Sequence, residues 1–125
     1  MKMRLLTACG FFLMVISLFM LAPGGVPDAF AASLVVKTRA DSGVGSLRQG
    51  MLSAIPGDVI TFDTTVFPPA SPKTITLLSG LPNISQGSVT IDASNAGVIL
   101  DGRYTASGTS GFGITSSGNV IKGLQ

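Results

Sequence analysis

The sequence predicts an all-β chain that opens a stack of parallel coils behind one short helix, and three observations predict it. After Pro56 come short runs rich in Val, Ile and Thr, each three to five residues long and parted by Gly, Asn, Asp and Ser. Hairpin signatures are almost missing, since Asp101-Gly102 runs on into a polar stretch to Ser110 and reads as a loop. A weak repeat sets Ile84–Ile91 against Ile114–Ile121 at an offset of about 30 residues, with one residue inserted and Thr105–Ser110 as the insertion. Short strands alone suit sandwiches and barrels equally well. The repeat favours coils that cannot bury their own apolar faces and so stack them into ladders.

The elements follow in order. Lys2 and Arg4 precede the apolar run Phe11–Ala22, a Pro/Gly break at 23–27 and Ala29-Phe30-Ala31, the pattern of an export leader over residues 1–31 cleaved after Ala31 or one residue later. A retained anchor is the competing reading, because Leu5–Ala22 carries no charge. Either way the remainder is expected outside the cytoplasmic membrane, secreted or at the cell surface. Leu6-Thr7-Ala8-Cys9 resembles a lipoprotein box but precedes the apolar core, so Cys9 is read as an ordinary leader residue.

Residues 32–57 form the entry segment. Leu34–Thr38 reads as a strand and Asp41–Gly45 as a turn. Ser46 and Gln49 have the spacing of a capping box, in which the Ser46 hydroxyl accepts the Gln49 amide and Gln49 reaches back. Leu47, Met51, Leu52 and Ile55 make one apolar helical stripe, expected to plug the open end of the first coil, and Pro56-Gly57-Asp58 ends the helix. Gly50 inside it costs about 1 kcal/mol against Ala, so the stripe must dock to be stable. Residues 58–125 supply strands at Val59–Phe62, Thr74–Leu77, Ser88–Ile91, Gly97–Leu100, Phe112–Thr115 and Asn119–Lys122, with a proline-rich loop over Thr64–Lys73.

Composition narrows the chemistry. From Ala32 onward 36 of 94 residues are apolar and Ser plus Thr supply 23, while His, Cys, Glu and Trp are absent. Ser–His–Asp and Cys–His catalysis, zinc fingers and disulfide frameworks are therefore excluded for this stretch. Six Lys/Arg face five Asp with no basic cluster, so no nucleic acid is expected.

TRADSGVGSLRQ, PGDVITFD, TITLLSGLPNIS, VTIDA, VILDG and SSGNVIKGL follow one another from Leu34 to Gln125. In that order they resemble the N-terminal start of secreted bacterial right-handed parallel β-helix repeat proteins of the pectin-lyase-like superfamily. Arg39-Ala40 and Gly50-Met51 depart from that pattern, which favours Asn-Thr or Asn-Asn and Ala-Ile there. The resemblance implies a right-handed single-stranded solenoid with a short N-terminal capping helix, and many more coils than 125 residues hold, so a fragment of a longer solenoid is expected.

The only acids past the leader are Asp41, Asp58, Asp63, Asp92 and Asp101. Lyases of that superfamily hold calcium on clustered Asp and use a basic side chain to take a proton. Asp92 and Asp101 end strands nine residues apart and suit one coil, with Arg103 and Lys122 as candidate bases or clamps. Against this, no D-x-D-x-D loop occurs, an Asp ending a strand commonly bonds its own turn, and exposed cations commonly serve solvation. No catalytic, cofactor-binding or metal residue is assigned. Gly108-x-x-Gly111-x-Gly113 lacks the Lys and helix of a phosphate loop, and Asn83-Ile84-Ser85 matches a glycosylation sequon in a chain whose leader looks bacterial.

The expected function is that of an exported, structural or adhesin-like or glycan-binding β-helix protein, monomeric at full length, with polysaccharide or surface glycan as partner and membrane contact only through the leader. The alternative is the N-terminal part of a polysaccharide lyase or glycoside hydrolase whose catalytic coils lie downstream.

Overall fold

The first strand pairs parallel to the second with Leu34 beside Ile60, and that apolar rung continues through the molecule. The computed structural model describes residues 30–125, so the leader proposed for residues 1–31, Cys9 and the Leu5–Ala22 run lie outside the described residues apart from Phe30 and Ala31. Among the described residues no helix is long and apolar enough to cross a membrane.

The elements are β1 (Ser33–Val36), α1 (Leu47–Ser53), β2 (Val59–Phe62), β3 (Lys73–Thr76), β4 (Thr90–Asp92), β5 (Val98–Asp101) and β6 (Val120–Lys122). They form two parallel sheets, one ordered β1-β2-β4-β6 and the other β3-β5. Parallel neighbours need a long return connection. Here the return is the rest of the coil, which gives a β-solenoid of about three turns. Ile84 bridges Ile114 on a third line of contact, and Leu124 bridges Val98 below the second sheet.

The pleat explains the core. Alternate residues of β2 point inward, so Ile60 and Phe62 are buried while Val59 and Thr61 are half-exposed. Register stacks Leu34, Ile60, Ile91 and Ile121 in one ladder, with Val36 on Phe62 beside it. Ile75 and Leu77 supply the facing wall. Phe67, from the proline-rich loop, is fully buried and meets Phe62 edge-on at 5.5 Å between ring centroids. The loop is as expected, and its prolines hide an aromatic that fills the core.

The structure corrects several local expectations. β1 ends at Val36, because the Lys37 amide turns to the Gly45 carbonyl. β4 begins at Thr90 and not at Ser88, since Gly87 and Ser88 both take positive φ, 80° and 53°. Phe112–Thr115 is no strand and pairs only through the Ile114 bridge, with Phe112 packed against the core. No residue is inserted inside the repeat, since Ile84 meets Ile114, Thr90 meets Val120 and Ile91 meets Ile121, all at a constant offset of 30. Val120 thus stands under Thr90 and not under Val89.

The helix differs most. Ser46 does accept the Gln49 amide at 3.2 Å, but Gln49 donates sideways to Ser53 and the Ser46 amide goes to the Gly43 carbonyl. Leu47 and Met51 are buried as expected, whereas Leu52 is 62% and Ile55 50% exposed. The helix stops at Ser53, so Ile55 leaves the helical phase, and Ala54 is buried in its place. α1 packs on β1 and β2, and a Cβ on Gly50 would lie 3.6 Å from the Ile60 side chain.

Candidate functional site

Each carboxylate singled out from the sequence is engaged within its own part of the fold. Asp41 sits in the turn before α1 and pairs with Arg48 at 2.8 Å. Arg48 also donates to the Asp41, Ser79 and Gly80 carbonyls at 3.1, 2.9 and 2.6 Å. Asp41 Oδ1 accepts the Leu78 amide as well. The planar fork of a guanidinium suits this multiple clamp. It fastens α1 to the loop that follows β3 in the next turn.

Asp58 is the buried member, 3% exposed. Its two oxygens accept backbone amides from Ala32 at 2.8 Å and Ile55 at 3.0 Å, closing the end of α1 onto the start of β1. Asp63 folds back on Thr65, accepting its amide and hydroxyl, and these bonds hold its carboxyl below the usual carboxylate range.

Asp92 and Asp101 end β4 and β5, which belong to different sheets, so the two acids face different sides of the coil. Asp92 accepts the Ser94 amide and pairs with Lys122 one rung below at 3.0 Å. The Ser94 amide, then its side chain, then the Lys122 ammonium lower its pKa to about 2. Asp101 accepts the Arg103 amide and pairs with its guanidinium at 2.7 Å, with the same downward direction. Both are turn-forming acids. Arg103 and Lys122, the candidate bases or clamps weighed against plain solvation, are exposed and each pairs with one of these turn acids. Among the described residues no three His, Cys, Asp or Glu gather as metal ligands would.

The Asn83 carboxamide lies so close to Gly113 that a Cβ there would overlap it, which ties the sequon residue to the next coil. Gly113 in turn gives its carbonyl to the Ile84 amide. A groove of about 150 Å³ between β1 and α1 is lined by Leu34, Val36, Ser46, Gln49, Gly50 and Ser53 among others, with no charged side chain. Pockets that hold small ligands usually run from about 300 Å³ upward.

Sequence reasoning missed the polar ties between turns. Asn119 accepts the Val89 amide at 3.1 Å and donates to Ser116, whose hydroxyl bonds the Ile84 carbonyl. Gln86 donates to the Met51 carbonyl of α1. The available signal was position, since Asn119 falls 30 residues after Val89 in the repeat.

The fold and these ties define a β-solenoid whose charged residues hold either their own turns or, as with Arg48 and the Asp92–Lys122 pair, the neighbouring one. Compared with family models, with curated proteins and with solved structures, the chain finds no match.

Proposed function

We propose that this chain is the N-terminal cap and early coils of an exported right-handed β-helix protein of the pectin-lyase-like kind, structural or glycan-binding, at the cell surface or outside the cell. The observation that carries this reading is the employment of the acids: all five Asp side chains past the leader hold turns, strands or α1 in place. The leader pattern of residues 1–31 supports export, and the order of motifs from Leu34 to Gln125 supports the family. In this reading α1 is the cap. Its Leu47 and Met51 cover the first complete coil, each contributing roughly 1.5–3 kcal/mol when fully buried.

The test has two arms on the exported full-length protein. Surface protease sensitivity and retention on insoluble polysaccharides should be positive, and absorbance assays for unsaturated uronate from polygalacturonate, with and without calcium, should be flat. Turnover that Asp92→Ala abolishes would overturn the non-catalytic reading in favour of a lyase.

A further inference from the structure

We propose that removal of the leader leaves the α-ammonium of Ala32 docked on the buried carboxylate of Asp58, so that export cleavage supplies the charge partner this acid otherwise lacks. The inference rests on the proposal that the chain is exported and cleaved after Ala31.

Asp58 is 3% exposed, and its Oδ1 stands 2.8 Å from the backbone nitrogen of Ala32. Its Oδ2 takes the Ile55 amide at 3.0 Å. Among the described residues no Lys or Arg pairs with it. A buried carboxylate held only by neutral donors bears a desolvation cost that a cation would offset. The same nitrogen is the one whose charge cleavage changes, since Ala29-Phe30-Ala31 places the scissile bond just before it. An amide with one hydrogen then becomes an ammonium with three, and a charge-assisted bond replaces a neutral one with no movement of the chain. The Ala32 carbonyl is already fixed by the Val59 amide at 3.0 Å, so the terminus is held on both sides.

Other charges do not compete. β1 and β2 carry no titratable side chain. Arg48, on α1, is committed to Asp41, Ser79 and Gly80. Asp92, on β4, is paired with Lys122. The geometry also selects between two cleavage points: a chain beginning at Ser33 would lose the donor altogether.

An ammonium beside a carboxylate titrates above the ordinary α-amino range of about 7.7–8.0, by about one unit or more. Its folded pKa is raised, so the added stability is full below the unfolded pKa and is lost as pH rises through the folded value. The window is therefore roughly pH 8–10. All other side chains are the same in the two preparations compared below, so a paired comparison cancels their contribution.

The experiment takes the full-length protein exported with its own leader. Mass spectrometry first locates the terminus, and competitive acylation then measures the α-amine pKa. A second preparation carries one added glycine before Ala32, which moves the charge away from Asp58. The expected result is an Ala32 terminus, an α-amine pKa of about 9 or higher, and a melting temperature that falls between pH 8 and 10 more steeply than in the extended chain. A Ser33 terminus removes the donor and overturns the ion pair while leaving cleavage intact, and an uncleaved Met1 terminus sinks the cleavage reading itself. An Ala32 terminus with an ordinary pKa, or identical melting curves for the two preparations, overturns the ion pair while leaving cleavage intact.

Discussion

Ile60 and Ile121 stand on the same ladder, yet Ile60 is wholly inaccessible and Ile121 only half-buried. Above Ile60 lie β1 and the Gly50 face of α1, while β6 pairs with β4 alone and leaves its other edge without a partner among the described residues. The contrast repeats on the third contact line, where Ile84 is buried and Ile114 is 53% exposed. Identical side chains in equivalent rungs thus differ in what they contribute, because in a stacked coil burial comes from the neighbouring turn. At the β1 end α1 packs on β1 and β2 and Arg48 ties it to the Ser79–Gly80 loop, whereas among the described residues nothing comparable lies on β6.

That difference ranks the expected effects of substitution. Ile60→Ala removes a fully enclosed side chain and should cost about 2–5 kcal/mol. Ile121→Ala should cost clearly less, and equal losses in denaturant titrations would break the comparison. Next comes Arg48→Ala, which strips the Ser79 and Gly80 carbonyls and Asp41 of their donor at once. About 1–3 kcal/mol is expected. Arg48→Lys should recover little of it, because an ammonium cannot span the same acceptors. Full recovery would reduce the clamp to a plain charge contact.

Acid titration sharpens the other end. The pKa of Asp92 is lowered to about 2 by the Ser94 amide, the Ser94 side chain and Lys122. Its stabilising contribution is therefore present above the unfolded value near 3.9 and lost as pH falls toward 2. Asp92→Asn should flatten part of the fall in melting temperature between about pH 4 and 2, leaving the curve above pH 5 parallel to that of the parent. An unchanged acid slope would show that Asp92 is not held as described. The smallest effect has the opposite sign. The nearest neighbours of a Cβ at Gly50 are Ile60 side-chain atoms at 3.6–4.0 Å, ordinary contact, so Gly50→Ala should stabilise α1 by up to about 1 kcal/mol. A loss of stability would mean the helix sits closer to the sheet than described.

Much of the fold was legible because strands and ladders follow local alternation. Val59–Phe62 carries its buried face in its own pattern, and the 30-residue offset is visible in Ile84 and Ile114. Helix phase was less legible. Leu52, still inside the helix, sits about 100° round from Met51 and off the buried face, while the stop at Ser53 takes Ile55 out of helical phase. Glycine demands were hidden as well. At Gly123, φ is 76° and a Cβ would overlap the Ala93–Ser94 backbone, a close approach between turns that no single run of sequence displays. The roles of Asp41 and Asp58 were illegible for the same reason, since their partners Leu78 and Ala32 lie 37 and 26 residues away.

A disulfide between adjacent turns tests their parallel register most directly. With Cys9 replaced by Ser, the pair Thr90→Cys/Val120→Cys places two cysteines on adjacent rungs, where Thr90 faces Val120 in the parallel β4–β6 ladder. Strand spacing there is about 4.8 Å, inside the span a disulfide accepts. Mild oxidation of the folded chain should close this bond rapidly, and the pair Val89→Cys/Val120→Cys should remain reduced. Rapid closure of the second pair, with the first left open, would contradict the constant 30-residue register and with it the stacking of the turns.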